Sequence, residues 1–194
     1  MGFVISAVIA YLLGSISCAI IVSKFFNLPD PRKDGSGNPG ATNVLRLSGN
    51  KQAAAFVLVG DALKGLIAVL IARAFGVHAV FLGFIAVIAV IGHLYPIYFK
   101  FKGGKGVSTM MGSILGLTFW GGILLIAIWA IVIFVLRYAS LAALITAVAA
   151  PIIMFVLDAR YYAFPVFLIA VLIIWKHWGN IDKLRKGTEN KVKF

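Results

Sequence analysis

The chain has 194 residues, of which 62% are apolar and only 12% charged, with a mean hydropathy of +1.03; an ordinary water-soluble domain carries roughly twice that share of charge, so a soluble fold is excluded and the bilayer is the solvent. Lysine and arginine number 18 against 6 aspartate and glutamate, a formal net charge of +12. That balance favours anionic partners, although cations that merely fix topology against anionic headgroups explain part of it.

The N-terminus reads M-G-x-x-x-S and then turns apolar, which mimics both a myristoylation signal and a secretory leader. The first cation, Lys24, follows the apolar run instead of preceding it, and no small-residue cleavage signature is present. Residues 3–23 are therefore predicted as a first transmembrane helix with its N-terminus outside. The single cysteine, Cys18, lies in that run, permits no intrachain disulfide and reads as packing.

Residues 30–50 read DPRKDGSGNPGATNVLRLSGN. Gly35, Gly37 and Gly40 allow positive φ and close approach to a ligand, Ser36, Asn38, Thr42 and Asn43 offer neutral donors, and Arg46 a forked cationic one. Successive backbone N–H groups of this kind can form an anion nest, and a short amphipathic helix is predicted from Ala41 to Leu47. The second apolar run, 53–72, carries Asp61 and Lys64 three residues apart on one helix face, a spacing that predicts a structural ion pair in the membrane. The third, 77–98, is flanked by His78 and holds His93, neither of which has a chemical neighbour in sequence.

Residues 95–113 read YPIYFKFKGGKGVSTMMGS. Gly103, Gly104 and Gly106 surround Lys105, and Val107-Ser108-Thr109 open the next helix, so free N–H groups and a positive dipole end would face an anion. A Walker A loop is excluded because Phe99 stands where its first glycine belongs. The apolar run 107–136 that follows would reach ~45 Å as one helix against a hydrocarbon core of ~30 Å. Gly121-Gly122 beside Trp120 is the predicted break.

Two more runs, 139–157 and 161–175, lead into WKHWGNIDKLRKGTENK at 175–191. His177 and Asp182 match a His-x4-Asp signature, but on a continuous helix their side chains would lie about 140° apart and could not pair. His177 instead stands as a hydrogen-bonding group beside Asn180.

Charge settles the number of spans. With seven helices, 15 lysines and arginines fall on the cytoplasmic side (five in 24–51, three in 99–106, Arg137, and six in 176–194) and only Arg73 and Arg160 fall outside; with six helices the division is nine against eight. The expected fold is thus all-α: a polytopic membrane protein of seven transmembrane helices, the fourth short, N-terminus outside and C-terminus cytoplasmic. Segments 30–51, 99–109 and 176–191 then share one face. No two carboxylates on that face form a metal-binding pair and no G-x-S-x-G elbow occurs, which disfavours a magnesium-dependent phosphotransferase and a serine hydrolase.

GSGNPGATNVLR at 35–46, GHLYPIYFKFKGGKGVST at 92–109 and HWGNIDKLRKGTENK at 177–191 closely resemble the three cytoplasmic motifs of the bacterial acyl-phosphate:glycerol-3-phosphate acyltransferases, the PlsY family. The resemblance spans the whole chain and implies one acyltransferase domain, residues 1–194, in the bacterial cytoplasmic membrane. It implies transfer of a fatty acyl group from acyl phosphate to the 1-hydroxyl of glycerol 3-phosphate, giving lysophosphatidic acid and phosphate, with no metal, cofactor or nucleic acid. Membrane lipids and the enzyme that supplies acyl phosphate are the further partners, and a monomer is expected. On this reading Ser36, Lys105 and the amides of Gly103 to Gly106 grip the acyl phosphate and stabilise the oxyanion. Arg46, His177 and Asn180 orient glycerol 3-phosphate, with Gly37, Asn38, Gly40, Thr42, Asn43, Ser108, Thr109 and Glu189 as further binding residues. The base is either the donor's own phosphate or His177, and Arg185, Thr188 and Glu189 either touch substrate or fold the tail. The rival from another class is a small transporter or channel for organic phosphates, which would carry polar residues across the bundle and inverted repeats.

Overall fold

The computed structural model describes residues 1–192; residues 193 and 194, which include Lys193 of the tail's cation count, lie outside them. Among the described residues the chain is helical without strands. The first apolar run forms α1 (Gly2–Gly14) and α2 (Cys18–Phe25), and the glycine-rich loop after it leads into α3 (Ala41–Ser48). The predicted short helix is therefore present, one residue longer than expected. The long rods follow: α4 (Lys51–Ala74), α5 (Ala79–Leu94), α6 (Val107–Leu117), α7 (Phe119–Leu136), α8 (Ala139–Val156) and α9 (Ala163–Lys176), with α10 (Trp178–Arg185) closing the order. Gly2–Phe25, Lys51–Ala74, Ala79–Phe99, Phe119–Leu136 and Ala139–Val156 are each long and apolar enough to cross a membrane, and the pair bent by 60° at His177 makes a sixth if counted as one span.

The run 107–136 does break, but at Thr118, whose backbone is extended (φ −148°, ψ 121°), and not at Gly121-Gly122. Both glycines lie inside α7, where a Cβ on Gly122 would overlap the backbone of Leu115 on α6. In lipid, small residues serve close helix approach as often as they end helices.

α6 has 11 residues and at ~1.5 Å per residue covers about half the hydrocarbon core. It tolerates this by being buried: none of its residues is exposed. Gly65 of α4 abuts the Thr109 carbonyl, and a Cβ on Gly112 would overlap the Ala62 carbonyl, so the two backbones touch. At its far end Arg73 Nη2 donates to the Gly116 and Leu117 carbonyls at 3.0 and 3.1 Å, satisfying acceptors that a helix terminus leaves free. α1 and α5 meet in the same way: Gly14 faces the Ala89 backbone, Gly92 faces the Tyr11 carbonyl, and the Tyr11 hydroxyl donates to the Tyr95 carbonyl at 2.9 Å.

α6 departs from the end of the bundle where the basic loops lie, and α7 returns to it: the Arg137 carbonyl just beyond α7 accepts the Val192 N–H of the tail at 2.7 Å. One end of the bundle thus collects the loop before α3, the loop before α6, the α7–α8 junction and the tail.

Candidate active site

A cavity of about 310 Å³ opens at that end, lined by residues of all three motifs and by α4, α5, α7 and α8. Its size falls at the lower end of small-molecule sites.

The first motif is held together by a buried residue, Asn43. Its Nδ2 donates to the Pro31 and Asp34 carbonyls at 2.9 and 3.1 Å, and its Oδ1 accepts the Ser36 N–H at 3.0 Å. Asn43 lines the cavity, yet its amide is spent on the loop and is not the free donor the sequence suggested. Gly35, at φ +65°, passes so close to Asn43 Oδ1 that no side chain would fit. Ser36, Asn38, Gly40, Thr42 and Arg46 all line the cavity. Gly37 takes a turn at φ +69° but does not line it, and Gly40 is extended at φ −150°, contrary to the positive φ foreseen for it.

The second motif wraps around His93. The Gly104 N–H donates to the His93 carbonyl at 3.2 Å, and a Cβ on Gly103 would overlap that same carbonyl. Neither glycine lines the cavity, so the Gly104 amide is not free for an anion. Lys105, Gly106, Val107 and Ser108 do line it. Gly106, at φ +85°, opens α6 without a side-chain cap, leaving the first N–H groups of the helix unpaired within it. Thr109 is misplaced by the sequence reading: it is fully buried and packs against α4 at Gly65.

From the second motif a chain of polar contacts crosses to the third. Lys105 Nζ donates to Asn180 Oδ1, Asn180 Nδ2 donates to Glu189 Oε1 at 2.8 Å, and the Ser140 hydroxyl of α8 donates to the same oxygen at 2.8 Å. Burial pulls the Lys105 ammonium down to about 8; Glu189 raises it, while Lys183 and Arg46 lower it further. It is charged at neutral pH and incompletely compensated. Buried His177 is pushed down to about 4, first by desolvation and then by the Lys105 charge, so it is neutral at pH 7. Its Nδ1 lies 2.8 Å from the Ile173 carbonyl; a carbonyl only accepts, so the proton sits on Nδ1 and Nε2 keeps its lone pair. Asp182 pairs instead with Lys186 at 2.8 Å on the surface, so His177 and Asp182 form no dyad.

The cavity also contains residues for which no site role was foreseen: Asp61 and His93 at its floor, Ser140 and Lys183 at its rim, and an apolar side of Leu58, Val107, Trp129 and Ala143. The Asp61–Lys64 pair is present at 2.8 Å, as expected from its spacing, but it borders the cavity. Its sequence signal was the cost of a charge in lipid; His93 and Lys183 had only their place inside the second and third motifs.

The family described as glycerol-3-phosphate acyltransferase matches residues 4–187. A glycerol-3-phosphate acyltransferase of Coxiella burnetii is 62% identical over 194 residues, all of both chains. One of Thioalkalivibrio sulfidiphilus is 50% identical over 184 residues, 94% of this chain and 90% of its own. Two solved structures of PlsY, an integral membrane glycerol 3-phosphate acyltransferase, are 36% identical. Its glycerol 3-phosphate form superposes at TM-score 0.92 over 100% of this chain and 96% of the other. Its lysophosphatidic acid form superposes at 0.88 over 98% and 95%.

Proposed function

The chain belongs to the glycerol-3-phosphate acyltransferase family, that of the integral membrane enzyme PlsY, and from that premise we propose that it moves a fatty acyl group from acyl phosphate to the 1-hydroxyl of glycerol 3-phosphate. One observation carries the choice of donor: Arg46, Lys105 and Lys183 converge with neutral His177 in a single cavity that also has an apolar side. Two phosphates and one acyl chain match that lining. The lysophosphatidic acid form of the solved relative supports the product.

The hydroxyl oxygen attacks the acyl carbonyl carbon, the new ester C–O bond forms, and the C–O bond to phosphate breaks with its electron pair leaving on phosphate. Lys105, Ser36 and the open N–H groups at the start of α6 hold the acyl phosphate and stabilise the charge that develops on the carbonyl oxygen. Arg46, Thr42, Asn38 and Ser108 hold glycerol 3-phosphate, and Asn180 with Glu189 fixes Lys105. His177 Nε2 accepts the hydrogen bond of the attacking hydroxyl and aims it. At about 4 His177 is a weaker base than phosphate, whose second pKa is ~6 in its esters, so the proton goes to the departing phosphate. Most of the rate then comes from positioning.

Seven crossings with the N-terminus outside, and the cavity facing the cytoplasm of the bacterial inner membrane, are supported by the one-sided cations and by the out-and-back path of α6 and α7. Residues 1–194 act as one domain, and a monomer is the expected state, since this chain brings residues of all three motifs to the cavity. Purified protein mixed with palmitoyl phosphate and glycerol 3-phosphate, without added metal, should release phosphate and form lysolipid, whereas palmitoyl-CoA should not replace the donor. Absence of product from palmitoyl phosphate overturns the assignment.

A further inference from the structure

His93 has no assigned part in this chemistry, and its surroundings give it one. Lys64 lies in α4 with its ammonium among three acceptors: the Ile16 carbonyl at 2.6 Å, in the break between α1 and α2, Asp61 Oδ1 at 2.8 Å and His93 Nδ1 at 2.9 Å. An ammonium has three protons and no lone pair; it hydrogen-bonds to the Ile16 carbonyl and to His93 Nδ1 and meets Asp61 Oδ1 as an ion pair. The bond to His93 is possible only if Nδ1 carries no proton. Asp61 does not compete for the ring, since its oxygen is 3.6 Å from Nδ1, beyond hydrogen-bond reach. The imidazole proton is therefore held on Nε2.

Nε2 makes no hydrogen bond among the described residues, although the ring is nine-tenths buried and lines the cavity. Nε2 is not fully enclosed, and a donor without a protein partner on a ring that lines a binding cavity points to a ligand. The neighbouring loop keeps this edge open. A Cβ on Gly104 would overlap Nε2, so glycine is required where the loop that carries Lys105 crosses the ring.

We propose that His93 is a further catalytic residue: its Nε2–H donates to an oxygen of the bound acyl phosphate beside Lys105, and the Asp61–Lys64 pair is a positioning device that fixes its tautomer. This rests on the acyl phosphate reading above. A neutral donor held by a buried ion pair is preorganised for charge that grows on oxygen in the transition state. It also makes the membrane-embedded pair part of the site.

Two isosteric substitutions divide the two ring nitrogens. Asparagine can offer an oxygen near the Nδ1 position and keeps the Lys64 contact but loses the donor; glutamine reaches the Nε2 position with an N–H but loses the acceptor. His93→Asn should unfold thermally in detergent like the parent yet lose turnover of palmitoyl phosphate by about 100-fold, mostly in kcat. His93→Gln should retain more turnover and less thermal stability. The reverse order, with His93→Asn active to within twofold of the parent, would mean that the ring only satisfies Lys64 and would overturn the proposal. Nitrogen-15 spectra of the histidine-labelled parent provide a test that needs no stable His93 variant, with the other two histidine signals assigned from His78→Gln and His177→Gln. The His93 signals should show Nδ1 unprotonated and Nε2–H shifting when a non-hydrolysable palmitoyl phosphonate is added; a protonated Nδ1, or no shift at saturation, overturns it. Parent protein that makes no lysolipid from palmitoyl phosphate sinks the functional reading itself, an outcome separate from either of these.

Discussion

Two clusters of charge border the same cavity, and each contains one lysine, one carboxylate and a neutral polar partner. At the rim, Asn180 stands between Lys105 and Glu189, so the ammonium never touches its counter-ion. At the floor, Lys64 meets Asp61 directly at 2.8 Å and is also held by the Ile16 carbonyl and His93 Nδ1. A cation whose counter-ion is held at arm's length has charge left for a ligand; one in direct contact with its counter-ion holds geometry. The rim cluster should therefore respond to mutation in activity alone, and the floor's ion pair in stability as well as in activity through His93.

The largest effect should come from the rim. Lys105→Ala removes the half-buried cation set against the acyl phosphate and is expected to lower phosphate release by about 10³-fold, the upper range for one transition-state contact, with thermal unfolding in detergent unchanged. A drop of less than tenfold would break the division at its strongest point. The floor should answer differently. Asp61→Asn leaves Lys64 charged and buried, and losing one partner of a buried pair costs about 3–5 kcal/mol, readable as a lower unfolding temperature. Asp61→Asn with Lys64→Met removes both charges and should recover most of that stability, but not the activity, because His93 then has nothing to hold its tautomer.

The rim was legible in the sequence and the floor only half so. Ser36, Arg46, Lys105, His177, Asn180 and Glu189 sit on or beside polar loops, where an unusual residue has no packing reason to be present. His93 sits in an apolar helix, and its partner Lys64 is 29 residues away, a distance that neither periodicity nor motif spacing bridges. Three of the misread glycines share one cause. Gly121 and Gly122 looked like a break, and Gly104 like an anion-binding amide, but all three are where another helix or ring comes close, a tertiary fact. Thr109 failed through helix phase: beside Ser108, it turns to the other face of α6.

A smaller effect separates positioning from proton transfer at His177. Glutamine can still accept a hydrogen bond from the glycerol hydroxyl but cannot take its proton. His177→Gln should cost about tenfold, the worth of a displaced hydrogen bond of ~1.5 kcal/mol. Loss of 10² to 10⁴, the range for general acid–base catalysis, would make the ring the base.

The smallest effect concerns pH and tests how far the rim's counter-ion reaches. Lys105 must be protonated to hold phosphate, and burial brings it to about 8, so kcat/KM, which reports the free enzyme, should fall above pH ~8 by tenfold per unit. Glu189 is the group that raises it, against Lys183 and Arg46. Glu189→Gln keeps an oxygen for the Ser140 hydroxyl and the Asn180 amide but removes the charge. The Lys105 value should then drop, and the alkaline limb should move towards neutrality while the plateau below it loses only a fewfold. An unmoved limb would mean that Glu189 serves Asn180 by hydrogen bonding alone, and that the rim ammonium is as indifferent to its carboxylate as their separation by a whole amide group would allow.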